Sequence, residues 1–191
     1  VLEVGDSISA GYGLDTGQGW VELLATRLRR EGYPQRVVNA SISGDTTAGG
    51  RARMPALLRE YRPAIVVIEL GGNDGLRGGD LAATRANLDT MVKDALAAHA
   101  KVLVLGMKIP PNYGPAYVRA FDTLFADVAK AHGVALVQWL FAGFGENLSL
   151  FQPDHIHPKA VAQPRILDNV WPALMPLLAT HAGHARSGSA R

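Results

Sequence analysis

The stretch VLEVGDSISAGYG, residues 1–13, decides how the chain is read. Val1 to Val4 is a short run of strand type, Gly5-Asp6-Ser7 ends it, and small residues follow that permit a helical turn. Gly, Asp and Ser at a strand exit have two uses. Asp and Ser cap helices by accepting hydrogen bonds from free backbone N–H groups, while Gly eases a tight turn. A serine on a strand-to-helix turn is also exposed at the positive end of a helix, where it can attack an acyl carbon. These residues alone leave both uses open, with Ser9 as a second hydroxyl close behind.

Four further runs resemble the first in type: RVVNAS at 36–41, AIVVIEL at 64–70, KVLVLGM at 101–107 and VALVQ at 134–138. Several are apolar without alternation, as expected of parallel strands covered on both faces. Helical spacing relates Trp20, Leu23, Leu24 and Leu28, then Leu88, Met91, Val92, Ala95 and Leu96, then Tyr117, Phe121, Leu124, Phe125 and Val128. A last helix is predicted from Pro158 to about Leu178, interrupted by Pro164, Pro172 and Pro176. Strands alternating with helices predict an α/β protein, a three-layer α/β/α sandwich around a five-stranded parallel sheet. A single domain over residues 1–179 is expected, and the polar segment 180–191 reads as a disordered tail.

The chain has 191 residues, 48% of them hydrophobic, enough for one well-buried core. Lys and Arg number 19 against 17 Asp and Glu, and no basic cluster is interleaved with aromatics, so nucleic acid is not an expected partner. Arg27, Arg29, Arg30, Arg51 and Arg53 read as solvated helix faces. The absence of cysteine excludes disulfides, thiolate metal sites and a cysteine nucleophile. Glu69, Lys108 and Gln138 interrupt the longest apolar stretches, so no membrane span is expected. No leader segment precedes the first strand in the sequence given, which leaves export open.

In a parallel sheet, ligands collect at the carboxyl ends of the strands. Gly5-Asp6-Ser7 follows the first strand, Ser43-Gly44-Asp45 the second, Gly71-Gly72-Asn73-Asp74 the third, and Asp154-His155-Ile156-His157 the fifth after a further loop. Each has an ordinary reading: Gly44-Asp45-Thr46-Thr47 as a turn with a helix cap, GGNDG as a turn. Together they hold the parts of an acyl-transfer site. Ser7 supplies a hydroxyl, and residues 154 and 157 share one side of a helical turn, so a carboxylate can orient an imidazole. Asn73 offers a side-chain N–H₂, and Gly44, without a Cβ, lets its N–H approach a substrate. Dinucleotide and Walker phosphate motifs and the G-x-S-x-G elbow are absent. The rival is a metal-dependent hydrolase built on Asp154, His155 and His157.

GDS at 5–7, the glycine of SGDT at 43–46, GGND at 71–74 and DHIH at 154–157 resemble, in order and spacing, the four blocks of the SGNH hydrolases, also called GDSL esterases. NASISGDT at 39–46, ELGGNDGLRG at 69–78 and PPNYG at 110–114 resemble the bacterial multifunctional thioesterase, lysophospholipase and arylesterase branch. The resemblance implies a flavodoxin-like sheet and hydrolysis of acyl esters and thioesters, small or lipid-like, without a cofactor. It implies Ser7 as nucleophile, His157 as general base, Asp154 as its orienting carboxylate, and Ser7 N–H, Gly44 N–H and the Asn73 amide as oxyanion donors. Substrate contacts are implied at Gly72, Gly75, Leu76 and Asn112, with Gly75 to Asp80 as a mobile segment. The branch is typically periplasmic or secreted. A non-catalytic lipid or carbohydrate binding module on the same fold is the other alternative, which intact Ser7, Asp154 and His157 disfavour.

Overall fold

Both faces of the central sheet are covered, which is why its strands read as apolar runs. The computed structural model describes residues 1–178. The expected tail at 180–191, with His181 and His184, lies outside the described residues. The strands are β1 (Leu2–Gly5), β2 (Val38–Asn39), β3 (Ile65–Glu69), β4 (Lys101–Leu105) and β5 (Ala135–Val137). They pair in parallel in the order β2-β1-β3-β4-β5. The α/β sandwich and the five-stranded parallel sheet are as expected from the sequence.

Seven helices are present among the described residues: α1 (Ser7–Ala10), α2 (Trp20–Arg30), α3 (Thr47–Tyr61), α4 (Gly72–Leu76), α5 (Leu81–Ala97), α6 (Pro115–His132) and α7 (Gln163–Leu178). The pleat divides the core into two. Leu2, Val4, Val66 and Ile68 pack with Met54, Leu88, Met91, Phe121 and Phe125 of α3, α5 and α6. Val67, Leu103 and Leu105 pack on the other face with Trp20, Leu24, Leu28, Ile166, Val170 and Leu174 of α2 and α7. Each large aliphatic so buried contributes about 1.5–3 kcal/mol. Periodicity does not reveal α3, because two glycines and Pro55 dilute its apolar stripe. Gly50 is needed there, since a Cβ would strike Leu70 and Met91.

Four expectations need correction. Pro158 does not open the last helix; it bridges to Phe151, a 3₁₀ turn at Ala160–Ala162 follows, and α7 starts at Gln163 with Pro164 in its first turn. Pro172 and Pro176 lie inside α7 without ending it, because the buried stripe Val170, Leu174 and Leu178 runs past both and packing outweighs propensity. Arg53 is no solvated residue: its Nε lies 2.9 Å from Asp45 Oδ2, and its guanidinium also donates to the Ala40 and Gly5 carbonyls. Arg51 is exposed as expected, with one hydrogen bond to Asn87 Oδ1 at 3.2 Å.

The fourth correction concerns GGNDG, which is the helix α4 rather than an open turn, so Gly75 is no hinge. Gly75 is buried, and a Cβ there would strike Phe121 and Ile109. Tyr113 Oη donates to Leu76 O at 2.6 Å and Tyr117 Oη to Gly79 O at 2.9 Å, fastening the segment to α6 and the turn before it. Gly75→Ala should therefore destabilise the protein by about 1–3 kcal/mol in denaturant unfolding, the usual effect of overpacking. A change below 0.5 kcal/mol would mean that Phe121 yields freely.

Candidate active site

The order β2-β1-β3 places the point where successive connections leave in opposite directions between β1 and β3, so their carboxyl ends border an open crevice. The chain leaves β1 directly into α1. Its cap is Asp6, whose Oδ1 accepts from Ile8 N–H at 3.0 Å. Capping is thus done by Asp6, and the Ser7 hydroxyl is free for another partner. That partner is His157, whose Nε2 lies 2.8 Å from Ser7 Oγ across 150 positions of sequence. Ser9 is fully buried and bonded to two glutamates, which removes it as an exposed hydroxyl.

His157 Nδ1 lies 2.7 Å from Asp154 Oδ2. The spacing of three works through a turn rather than a helix: Asp154 Oδ1 accepts from Ile156 N–H at 2.9 Å and His157 N–H at 3.0 Å. One carboxylate therefore folds the turn and orients the ring. Partial burial tends to raise the Asp154 pKa, but these backbone bonds and the imidazole outweigh it and pull the carboxyl down to about 2. The Tyr12 ring lies 4.5 Å from that of His157 and shields it. His155 is exposed, sits at φ +59°, and has no part in the Ser7 and Asp154 contacts.

Asn73, the second residue of α4, reaches the same crevice. Its Nδ2 donates to Asp6 Oδ2 at 3.0 Å and to Asp45 O at 2.9 Å, so both its hydrogens are engaged before substrate arrives. Gly44 stands in the turn beside Asp45 at φ +79° with open space where a Cβ would be. That positive φ favours glycine, and the open space beside it leaves its backbone uncovered. Its carbonyl accepts from Arg77 at 3.2 Å. Burial pushes the Asp6 carboxyl up to about 6, against the lowering effects of Ile8 N–H, His157 and Asn73.

The expected substrate contacts divide. Gly72 borders the site, since a Cβ would lie 3.5 Å from Asp6 Oδ2 and closer to Met107. Leu76 is half-buried and Asn112 exposed, and Tyr113, next to Asn112, holds the Leu76 carbonyl. Gly75 is buried, with Phe121 and Ile109 in the space a Cβ would take. A separate cleft of about 490 Å³ beside Trp139 and Phe144 contains none of the expected site residues. Sequence reasoning missed Asp6 as the residue joining Asn73 to α1, and missed Glu3 and Glu69, both fully buried under Ser7. The one available signal was a glutamate inside each of two apolar runs.

Two of the three residues of the metal alternative, Asp154 and His157, are engaged with each other, and His157 also with Ser7. Both His157 ring nitrogens have partners, and among the described residues no group of three or more His, Cys, Asp or Glu is arranged to hold a metal ion. For Asp154 the linkage is definite in sign. Its folded pKa of about 2 lies below the ~3.9 of an unfolded aspartate. Its stabilisation is therefore present above the unfolded value and lost as pH falls through about 2. Carboxyl ¹³C NMR should find Asp154 titrating near pH 2; a midpoint at or above the unfolded value would mean that the turn does not hold its carboxylate.

Residues 4–163 match the GDSL-like lipase/acylhydrolase family. Over 178 residues the chain is 59% identical to esterase TesA of Pseudomonas aeruginosa, spanning 93% of this chain and 89% of that one. It is 40% identical to thioesterase 1/protease 1/lysophospholipase L1 of Escherichia coli K12, over 93% of this chain and 84% of that one. Among solved structures, the psychrotrophic esterase EstA from Pseudoalteromonas sp., inhibited by monoethylphosphonate, is similar with a TM-score of 0.88 and 38% identity, covering 93% of this chain and 97% of that one. With its four blocks in order and the β1 and β3 exits brought to one crevice, the chain belongs to the GDSL-like lipase/acylhydrolase family.

Proposed function

We propose that the protein hydrolyses acyl esters and thioesters through an acyl-enzyme on Ser7. Family membership makes it a carboxylic ester hydrolase, and the observation that carries the residue roles is the continuous chain Ser7 Oγ, His157 Nε2, His157 Nδ1, Asp154 Oδ2, with links of 2.8 and 2.7 Å. His157 takes the Ser7 proton as Oγ attacks the acyl carbonyl, and Asp154 stabilises the imidazolium that forms. The proton then passes to the leaving alcohol or thiol, and water, activated by the same imidazole, releases the acid.

The oxyanion is met by the N–H groups of Ser7 and Gly44 and by the Asn73 amide, which must give up or share one of its present bonds. Such tightening on substrate binding is ordinary for catalytic hydrogen bonds. Lipid-like and other long acyl substrates are supported by exposed apolar side chains around the nucleophile: Tyr12 against His157, Ile156 between the two triad residues, and Ile42 ahead of Gly44. The catalytic unit we assign is residues 1–179, and the compartment, periplasmic or secreted, rests on the family resemblance. Among the described residues no helix is long and apolar enough to cross a membrane.

Because Asp6 is the cap, Ser7→Ala should change stability by less than about 1 kcal/mol while lowering kcat by about 10⁴-fold or more. A fluorophosphonate should label Ser7 in the wild type and nothing in the variant. A folded Ser7→Ala protein with near wild-type turnover would sink the assignment.

His157→Ala should abolish hydrolysis of p-nitrophenyl esters, and His155→Ala should keep most of it. Chelators should change neither. Equal losses from both substitutions, with rescue by added zinc or manganese, would return the metal alternative.

A further inference from the structure

Beneath the nucleophile lies a group of side chains that the mechanism above does not use. Glu3 on β1 and Glu69 on β3 both point to the sheet face covered by α2 and α7, and both are completely buried. Glu69 Oε2 accepts from Asp6 N–H at 3.3 Å, Ser9 N–H at 3.2 Å and Ser9 Oγ at 2.8 Å. Ser9 Oγ also lies 3.0 Å from Glu3 Oε1. Gly5 makes this possible, since a Cβ there would come within 2.8 Å of Glu69 Oε2 and of Ser9 Cβ.

A hydroxyl has one hydrogen to donate. If both carboxyls were ionised, Ser9 could serve only one of them, and the other would face an oxygen lone pair in a site without water access. One carboxyl therefore carries a proton directed at Ser9 Oγ. It is not on Glu69 Oε2, which two backbone N–H groups already approach. Nor is it on Glu3 Oε2, where it would be a buried donor without an acceptor; on Glu69 Oε1 it would have to turn to the Asp6 carboxyl, whose two oxygens already accept from Ile8 N–H and the Asn73 amide. Glu3 Oε1 remains. The order Glu3 O–H to Ser9 O–H to Glu69 carboxylate gives each of the three contact atoms a role.

We propose that Glu69 is a positioning residue, an ionised carboxylate that grips the backbone on both sides of Ser7, while Glu3 is held as a neutral acid that completes the network through Ser9. The two amides it holds, at positions 6 and 9, flank the nucleophile, so the carboxylate fixes where Ser7 Oγ stands relative to His157. Other charged groups face the cluster from the neighbouring elements. Asp6 bears on both glutamates, His157 faces Asp6, and Arg53 of α3 donates to Gly5 O at 3.4 Å. Burial raises both glutamates well above the usual carboxylate range, and the Ser9 bond lowers each. With the one Ser9 hydrogen given to Glu69, three donors meet Glu69 and none meets Glu3, which leaves the proton on Glu3.

The catalytic half of this inference rests on Ser7 being the nucleophile; the protonation half does not. Glu3→Gln and Glu69→Gln separate the two roles, because an amide imitates a neutral acid and not a carboxylate. With p-nitrophenyl butyrate, and kcat normalised to the folded fraction, Glu3→Gln should stay within about twofold of wild type, its N–H₂ donating to Ser9 as the acid did. Glu69→Gln should lower kcat about tenfold or more with KM within twofold, since the bonds weakened are those that place Oγ. Equal loss in both variants, the reverse order, or an unchanged kcat in Glu69→Gln overturns the proposal. In wild-type protein, carboxyl ¹³C NMR between pH 5 and 8 should show Glu69 at a carboxylate shift and Glu3 at that of a protonated acid, which decides the matter even if a variant fails to fold. The opposite assignment, or both glutamates in the same state, ionised or protonated, overturns it. Turnover retained by Ser7→Ala would remove the catalytic half and leave the NMR assignment untouched.

Discussion

The parallel register of β1 on β3, from Leu2 against Val66 to Gly5 against Glu69, is the constraint on which the site depends. It brings the two strand ends level, so the turns that leave them start side by side. Ser7 and Asn73 then need no long side chains to meet over one crevice, and Asp6 spans the gap by bonding both α1 and the Asn73 amide. A slip of β1 by one residue would move Glu3 and Gly5 to the face opposite Glu69. The apolar pairs on either side of the sheet forbid it, since each strand is buried on both faces.

Electrostatics inside the site follow burial more than residue type. Asp154, near the surface and supplied with backbone donors, has its acidity strengthened; Asp6, with two donors but little water, has it weakened. Glu3 and Glu69 lie deeper still. Exposure thus separates a carboxylate that stays charged beside the base from carboxyls that must share or surrender charge underneath the nucleophile. Arg53, which joins Asp45 to the Gly5 carbonyl, is the cation nearest to this buried acidity among the residues that bond the strand end.

The layers of the fold and the triad were legible in the sequence because both leave strong local signals. Strand runs declare themselves by composition, and strand exits by glycine, aspartate and serine. Three things were not legible, for physical reasons. Helix α3 was hidden because Gly49, Gly50 and Pro55 dilute its apolar pattern, and Gly50 answers a close approach to Leu70 and Met91 that no propensity reveals. The helix in GGNDG was hidden because its glycines admit Phe121 and the site, a demand that appears only in three dimensions. Glu3 and Glu69 read as interruptions of apolar runs, since a one-dimensional pattern cannot show that two such interruptions face one buried serine.

The 150 positions between Ser7 and His157 have a consequence for the newborn chain. Ser7 emerges with the first strand, whereas Asp154 and His157 arrive together in one late turn, just ahead of the helix that docks on α2. Asp154 and His157 find each other locally, so assembling the triad requires a single long closure rather than two, and the cost of such closure grows only slowly with length. Until that closure occurs, the serine is an ordinary alcohol. The contact between Ser7 and His157 therefore forms only as the fold is completed.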